Sequence, residues 1–416
     1  MGFLSSENSP ITVIDLGSHQ VRVLIGQAAD DGSLHMLGYG QRQAKGVRAG
    51  QIVDPRAAEQ CLADAISSAE NFAGQRVRHA YVGLNNTLTR SLTLRLESDI
   101  AGGRVTASHL QDLRAAAADQ AQAHLPSNMQ WAQLHCIALS YALDGSPTST
   151  APEGLYGHTL QAEFHIIAAP WMAAQNIRQC LAMNQIEIAR LVYGPYALAF
   201  GALDPALSQY GAFLIDLGAD MTTISCFAHS QLQRSQVLPI GASQITQDIA
   251  QHFGFTQERA EKLKVTDGNL AAALATQDID AAATLFSARG FEHAELNPVI
   301  EARMREILGA VQNLIKAPAF AKHEVHTLVF TGAGAQIKGL QAYAEAMFHD
   351  KRVRLAALHP LQGAPEALRH GDFATASGLL HYASKDRPLQ AARTSLFARA
   401  PLSPHKIPVV RRLFGK

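Results

Sequence analysis

Ile11-Thr12-Val13-Ile14-Asp15-Leu16-Gly17-Ser18 and Phe213-Leu214-Ile215-Asp216-Leu217-Gly218-Ala219 carry the same pattern twice, about half the chain apart. In each, an apolar run ends in Asp-Leu-Gly and a second apolar run follows, Val21 to Ile25 in one copy and Met221 to Phe227 in the other. Each copy reads as a tight hairpin between two buried strands. Glycine at the turn permits positive φ and close approach of a ligand to the backbone. Consecutive N–H groups there form an anion-binding concavity, and an Asp beside it can hold a metal through water. One Asp-x-Gly turn is ordinarily structural. Two in matching strand contexts indicate two facing halves that grip one polyphosphate.

The composition frames that reading. The 416 residues are 47% hydrophobic and 17% charged, enough for more than one core and typical of a globular chain. Zero net charge argues against bulk nucleic-acid binding, so no nucleic-acid partner is expected. The neutrality is uneven: residues 384–416 hold eight Lys/Arg against Asp386 alone, a balance of +7, which leaves −7 for the rest. Cys61, Cys136, Cys180 and Cys226 are scattered without a Cys-x-x-Cys pair, which fits reduced cytosolic thiols. No signal peptide and no 18-residue apolar run is read. Met1-Gly2-Phe3-Leu4-Ser5-Ser6 loosely fits a myristoylation site but reads as a short irregular start, and His323–His326 lacks metal-ligand spacing.

Outward from the first hairpin, Leu34–Leu37 reads as a third strand, followed by a turn-rich stretch from Gly38 to Gly50. Asp54-Pro55 opens a helix to about Ala73. Strands follow at Val77–Leu84, Leu92–Glu97, Leu134–Leu143, Leu160–Ile167 and Glu187–Tyr193. Helices are expected over Thr106–Gln122, 171–185 and 195–203, and residues 86–165 form an α+β insert. Beyond the second hairpin, Val237–Ile240 is a strand, and Ile245, Ile249 and Phe253 lie on one helical face. Residues 256–322 read as wholly helical. Thr327–Phe330 is a short strand ending in Thr331-Gly332-Ala333-Gly334, with a helix after Gly339. Residues 384–406, with three prolines and little apolar pattern, read as a flexible linker.

Strand–Asp-Leu-Gly–strand units in a pair, joined by helices and followed by strand–Gly-x-Gly–helix, resemble the α/β actin-like fold (actin/Hsp70/sugar kinase, RNase H-like), a two-lobed ATPase fold. Within it, the chain resembles the FtsA family of bacterial division actins. The likeness is carried by Val13–Arg22, Gly46–Asp54, Leu238–Ala242, Ala260–Gly268, Ile300–Leu308 and Phe330–Leu340, and it spans residues 10–383 plus the tail. The resemblance implies subdomain 1A at 10–85 and 166–200, and an inserted SHS2-type 1C subdomain at 86–165. It further implies 2A at 201–242 and 323–383, 2B at 243–322, and an amphipathic membrane-targeting helix at 407–416 after the linker. It implies ATP with Mg²⁺ as ligands. Gly17, Ser18 and Gln20 would contact the phosphates from one side and Gly218, Ala219 and Thr222 from the other, with Asp15 and Asp216 near a water-coordinated Mg²⁺. Gly241, Gly332, Ala333 and Gly334 would leave room for the nucleoside. Glu261 and Lys264, three apart on one helical face, would reach the ribose or base; read by themselves they are equally a solvated pair.

Two departures matter. Gln20 stands where many relatives have a basic residue, and Gly194 stands where many ATPases of the fold place a Glu or Gln that orients the attacking water. Without that group hydrolysis should be weak or absent, while binding persists. At the end of the chain, helical spacing puts Val409, Val410, Leu413 and Phe414 on one side, flanked by Arg411, Arg412 and Lys416. That is an interfacial anchor pattern for anionic membrane lipids, each basic residue adding roughly 1 kcal/mol. Copies on a polymer would bind by avidity. The resemblance therefore implies a peripheral protein on the cytoplasmic face of the bacterial inner membrane at the division septum. It would self-associate into protofilaments, hold the FtsZ C-terminal peptide on 2B, where Arg303 and Arg305 could meet its acids, and recruit later division membrane proteins through 1C. Two alternatives stay open on the residues alone: a pilus-assembly actin homologue, and a sugar kinase or exopolyphosphatase of the same fold.

Overall fold

The computed structural model describes residues 9–272, 291–369, 371–397 and 411–412. The chain opens with an antiparallel meander, β1 (Ile11–Leu16), β2 (Gln20–Ala28) and β3 (Leu34–Gln43), then a small hairpin, β4 (Val47–Arg48) and β5 (Gln51–Ile52). β3 runs six residues beyond the strand expected at Leu34–Leu37. Its glycines serve packing rather than turning: a Cβ on Gly40 would lie 1.9 Å from the Ala65 carbonyl, and one on Gly38 2.4 Å from that of Ala69. The helix that presses on them, α1 (Pro55–Ala73), starts as expected, with the Asp54 carboxylate accepting from the Arg56 and Ala57 N–H groups at 3.1 Å. It ends at Gly74 in the left-handed region.

β6 (His79–Leu84) lies parallel to β1. The insert follows: β7 (Arg90–Asp99), α2 (Ala107–His124), β8 (Trp131–Leu143), β9 (Ser146–Thr148) and β10 (Thr159–Pro170). Leu96, Phe164 and Ile166 on the sheet bury against Leu113, Ala117 and Ala121 of α2. α3 (Trp171–Met183), β11 (Glu187–Tyr193), α4 (Gly194–Ala202) and α5 (Pro205–Tyr210) return the chain to the first lobe. Its sheet has the order β11-β6-β1-β2-β3.

The second lobe repeats that topology. β12 (Ala212–Leu217), β13 (Thr222–Ala228) and β14 (Gln231–Leu238) form the meander, with β15 (Thr327–Thr331) parallel to β12 and β16 (Arg352–Leu355) beyond it, in the order β14-β13-β12-β15-β16. β14 is longer than the strand expected at Val237–Ile240, and β16 carries no sequence signal because only Val353 of its four residues is buried. Between β14 and β15 come α6 (Ala242–Phe253), α7 (Gln257–Asp267), α8 (Phe291–Lys316) and α9 (Pro318–Ala321), and α10 (Leu340–Met347) precedes β16. The helix expected over 273–290 lies outside the described residues.

α11 (Ala374–Phe397) packs Ala376, Leu379, Leu380 and Ala383 beneath β1 and β2. It crosses α4 glycine to glycine: a Cβ on Gly378 would sit 2.4 Å from the Ala197 carbonyl. α11 also corrects the linker expected from residue 384. Asp386, a buried carboxylate, accepts from Arg190 and from the hydroxyls of Tyr81 and Tyr382, so the helix is pinned beyond that point. Of the terminal helix expected at 407–416, only two residues are described, and they are not helical. Arg411–Arg412 is extended (β17) and pairs with Leu96 and Glu97 of β7, the edge strand of the insert. A ten-residue helix is marginal in water, and an open strand edge accepts any extended segment in reach. Val409, Val410, Leu413, Phe414 and Lys416 lie outside the described residues.

Candidate nucleotide cleft

The two Asp-Leu-Gly turns close in the same way. Gly17 N–H donates to the Gln20 carbonyl at 3.1 Å, and Gly218 N–H to the Met221 carbonyl at 3.0 Å. In the ladders Asp15 stands opposite Arg22, and Asp216 opposite Thr223. Opposed residues share a face of the sheet, so the side chains that accompany the two carboxylates are Arg22 and Thr223. This corrects Thr222: one residue off in parity, it faces the other way, is fully buried, and donates its hydroxyl to the Ile240 carbonyl at 2.8 Å.

Both carboxylates sit part-buried where the lobes meet. Burial pushes Asp15 above the ordinary carboxylate range, partly offset by Arg22. Asp216 is pushed up to about 7, first by burial and then by the charge of Asp15. Arg22 is the cation the sequence reading missed. Its guanidinium lies 3.8 Å from Asp15 and 3.3 Å from Asp372, donates to Gln20 Oε1 at 2.7 Å, and stacks 4.9 Å from the centre of the Phe373 ring. The signal was available: Arg22 shares the strand face of Gln20, two residues on, so a cation is displaced along the strand rather than lost.

Hydrogen bonds at the cleft cross from one lobe to the other. Ala49 N–H donates both to Ser18 Oγ at 3.0 Å and to Asp220 Oδ2 at 3.1 Å, with Asp220 steadied by Ser243 at 2.9 Å. Asn85 Nδ2 donates to Thr223 Oγ1 at 3.0 Å. The cleft they hold together encloses about 120 Å³, less than the few hundred Å³ typical of ligand pockets.

Of the residues named from the sequence, Asp15, Gly17, Ser18, Gln20, Asp216, Gly218, Ala219, Gly332 and Ala333 line this cleft. Gly332 has φ +88°, and a Cβ there would lie 2.4 Å from Asp216 Oδ1. Gly241 and Gly334 instead pack the loops together: a Cβ on Gly241 would meet the Ala219 carbonyl at 2.3 Å, and one on Gly334 would press on Leu217. Glu261 and Lys264 do not line this enclosed part of the cleft. Lys264 Nζ, almost fully buried, donates to Glu261 at 2.7 Å, Thr246 Oγ1 at 2.9 Å and the Ala242 carbonyl at 3.2 Å, which ties α7 to α6. Burial lowers the Lys264 pKa against the pull of Glu261; Glu261 stays below its usual value because Lys264 and Thr246 outweigh its own burial. Arg303 and Arg305 are likewise engaged on α8, Arg303 in a two-pronged pair with Asp248 at 2.6 and 2.9 Å, and Arg305 with Glu301. All four cysteines are free thiols.

Sequence comparison names the lineage of this cleft. The family model described as "Cell division protein FtsA" matches residues 213–378, and that described as "SHS2 domain inserted in FTSA" matches residues 87–168. The chain belongs to the FtsA family. The cell division protein FtsA of Neisseria meningitidis serogroup B is 27% identical over 90% of this chain and 90% of its own. Those of Pseudomonas aeruginosa (27% identical, 89% of this chain and 88% of its own) and Escherichia coli K12 (25%, 91% of each) are similar across nearly the same span. Among solved structures, a PilM-PilN type IV pilus biogenesis complex matches with a TM-score of 0.64 at 16% identity over 91% of this chain and 99% of its own. MreB5 of Spiroplasma citri bound to ADP matches with a TM-score of 0.51 at 11% identity over 95% of this chain and 100% of its own. At such identities the structures establish the actin-like fold alone, so the pilus reading gains only the fold. The division reading rests on the FtsA relatives, and with them the chain is an actin-like cell division protein. The FtsA fold family carries nucleotide binding as an expectation.

Proposed function

We propose that this FtsA-family protein binds ATP with Mg²⁺ between its two Asp-Leu-Gly turns, as a clasp that fixes the lobes in a polymer-forming state. The observation that supports it is the pair of part-buried, mutually repelling carboxylates with Arg22 beside them. Such a set is uncomfortable without a cation, and the turns' N–H groups suit an anion, so the residues present fit the pair. Asp15 and Asp216 would hold the hydrated ion, while Gln20, Arg22, Ser18 and the turns at Gly17 and Gly218 would hold phosphate. When bound, Mg²⁺ neutralises phosphate charge. The adenosine would lie along Gly332–Gly334. The subdomain limits proposed are those of the sequence reading, except that α11 (Ala374–Phe397), which packs beneath β1 and β2, would go with 1A rather than 2A.

Its role, by this reading, is to tether FtsZ filaments to the cytoplasmic face of the inner membrane at the septum. Self-association would multiply weak tails into firm attachment. The basic apolar tail supplies the lipid contact, and among the described residues no helix is long and apolar enough to cross a membrane. The FtsZ C-terminal peptide would meet 2B near α8, where its acids compete with Asp248 for Arg303, and 1C would face later division proteins. Co-sedimentation with vesicles rich in phosphatidylglycerol tests this, comparing the full chain with one ending at Phe397, with and without Mg·ATP. Pelleting should need the tail and increase with nucleotide. Equal pelleting of the shortened chain would refute the tether.

A further inference from the structure

Asn85, just beyond β6, stands with Thr375 beside the place where Gly194 lacks a side chain. A Cβ built on Gly194 would lie 3.7 Å from Asn85 Cβ, and both residues line the cleft that holds Asp15 and Asp216. The amide of Asn85 is fixed at one end, Nδ2 donating to Thr223 Oγ1 across the cleft at 3.0 Å. Its other end is unused: Oδ1 is buried and accepts no hydrogen bond from the protein. A buried carbonyl oxygen left without a donor costs free energy, so such an atom marks a place where a bound molecule supplies the donor. The backbone around it is built tightly. Asn86 accepts from Leu88 N–H at 2.8 Å, and the Asn85 carbonyl leaves no space for a side chain on Gly50, which has φ +71°.

We propose that Asn85 Oδ1 accepts a hydrogen bond from the water that attacks the terminal phosphate, replacing from β6 the group missing ahead of α4. This rests on the nucleotide reading above. The amide stays neutral and serves as a positioning residue. The water oxygen bonds to the terminal phosphorus, the bridging oxygen leaves with its electron pair on the diphosphate, and the water proton ends on the released phosphate. Closure of the lobes sets the geometry, because the bond to Thr223 points Oδ1 only when the lobes meet.

The test measures binding of three probes with Mg²⁺ by titration calorimetry (AMP-PNP, ADP, and ADP with aluminium fluoride) beside single-turnover ATP hydrolysis at excess protein. Asn85→Ala should leave AMP-PNP and ADP within about threefold of the parent, while hydrolysis and the preference for ADP–aluminium fluoride fall by about 100-fold. Adding Gly194→Gln to Asn85→Ala, where the site has ordinary room for a Cβ, should restore at least about tenfold of both. Asn85→Leu with Thr223→Val removes both ends of the cross-lobe bond without leaving an orphan, and should show the same selective loss if Asn85→Ala fails to fold. Equal weakening of all probes would make Asn85 a strut between the lobes and overturn the proposal. So would no effect of the variants, or a parent with no preference for the fluoride complex over ADP. A parent that binds none of the three probes would refute the nucleotide clasp itself, and this inference with it.

Discussion

Replacing Asp216 by Asn should stabilise the empty protein and disable it. In the fold Asp216 titrates near 7, against 3.8 for a free carboxyl. The sign follows from linkage: the folded state prefers the protonated acid, so this group's contribution is fully present below about pH 4 and is lost as pH rises through 7. At about 1.4 kcal/mol per pH unit, the loss by pH 8 is on the order of 4 kcal/mol, an upper figure because the part-buried pair can relax. Asn keeps the shape and cannot ionise. Urea unfolding of parent and Asp216→Asn at pH 5, 6, 7 and 8, without Mg²⁺ or nucleotide, isolates the effect, because all other titrating groups are common to both. The difference in unfolding free energy should grow in favour of the variant from pH 5 to 7 and then level off. Parallel pH curves would show that Asp216 is ordinarily ionised and would remove the physical basis of the cation site. Binding should move the other way. A hundredfold excess of ligand over its Kd stabilises the parent by about 2.7 kcal/mol, whereas Mg·ATP should leave the variant's unfolding midpoint in place. Near pH 7 the parent should release about half a proton on binding, read from calorimetry in buffers of different ionisation enthalpy.

Three more outcomes follow from the same geometry. Gly332→Ala should destabilise the fold by roughly 2–4 kcal/mol in urea titration, because it adds a left-handed residue and a Cβ 2.4 Å from Asp216 Oδ1; a loss under 0.5 kcal/mol would contradict that packing. Arg22→Met leaves Asp15 and Asp372 without their shared cation, so it should cost about 3–5 kcal/mol and weaken Mg·ATP binding, and unchanged affinity in calorimetry would place the phosphates elsewhere. His135 and His165, buried at the root of the insert, are held neutral with pKa values of about 3, burial being the main cause. Each contributes stability that is whole above pH 6.5 and is lost as pH falls toward 3, so His165→Gln should flatten the acid limb of a thermal melt series; an unchanged limb would refute it.

The sequence made the repeated hairpins legible because their signal is local: an apolar run, a turn residue, a second run. That signal recurs at Asp15 and Asp216 and survives into matched sheet orders. What it could not convey was parity and reach. Thr222 and Thr223 are indistinguishable by composition, and only pairing with Asp216 decides which faces the cleft. Gly38 and Gly40 looked like turn residues because the helix that needs their missing Cβ atoms is more than twenty residues away. Asp386 looked like linker because its partners, Arg190 and Tyr81, are supplied from far up the chain. Lys264 and Glu261 form the pair that their spacing predicts, while the partners on α6 that hold it come from outside the helix.

The same distinction explains how this chain departs from its fold's usual chemistry without losing it. A cation at Gln20 and a polar group at Gly194 are absent by position, yet Arg22 and Asn85 occupy neighbouring space from another strand register and another strand. Arg22 pairs with Asp372 at the foot of α11, the helix packed beneath β1 and β2, whereas Asn85 bonds to Thr223 across the cleft. On the proposed reading, the water acceptor, set by the Asn85–Thr223 bond rather than by the phosphate turn itself, is in place only when the lobes close. If the nucleotide clasp holds, that bond would couple nucleotide chemistry to lobe position, with closure as the controlled step.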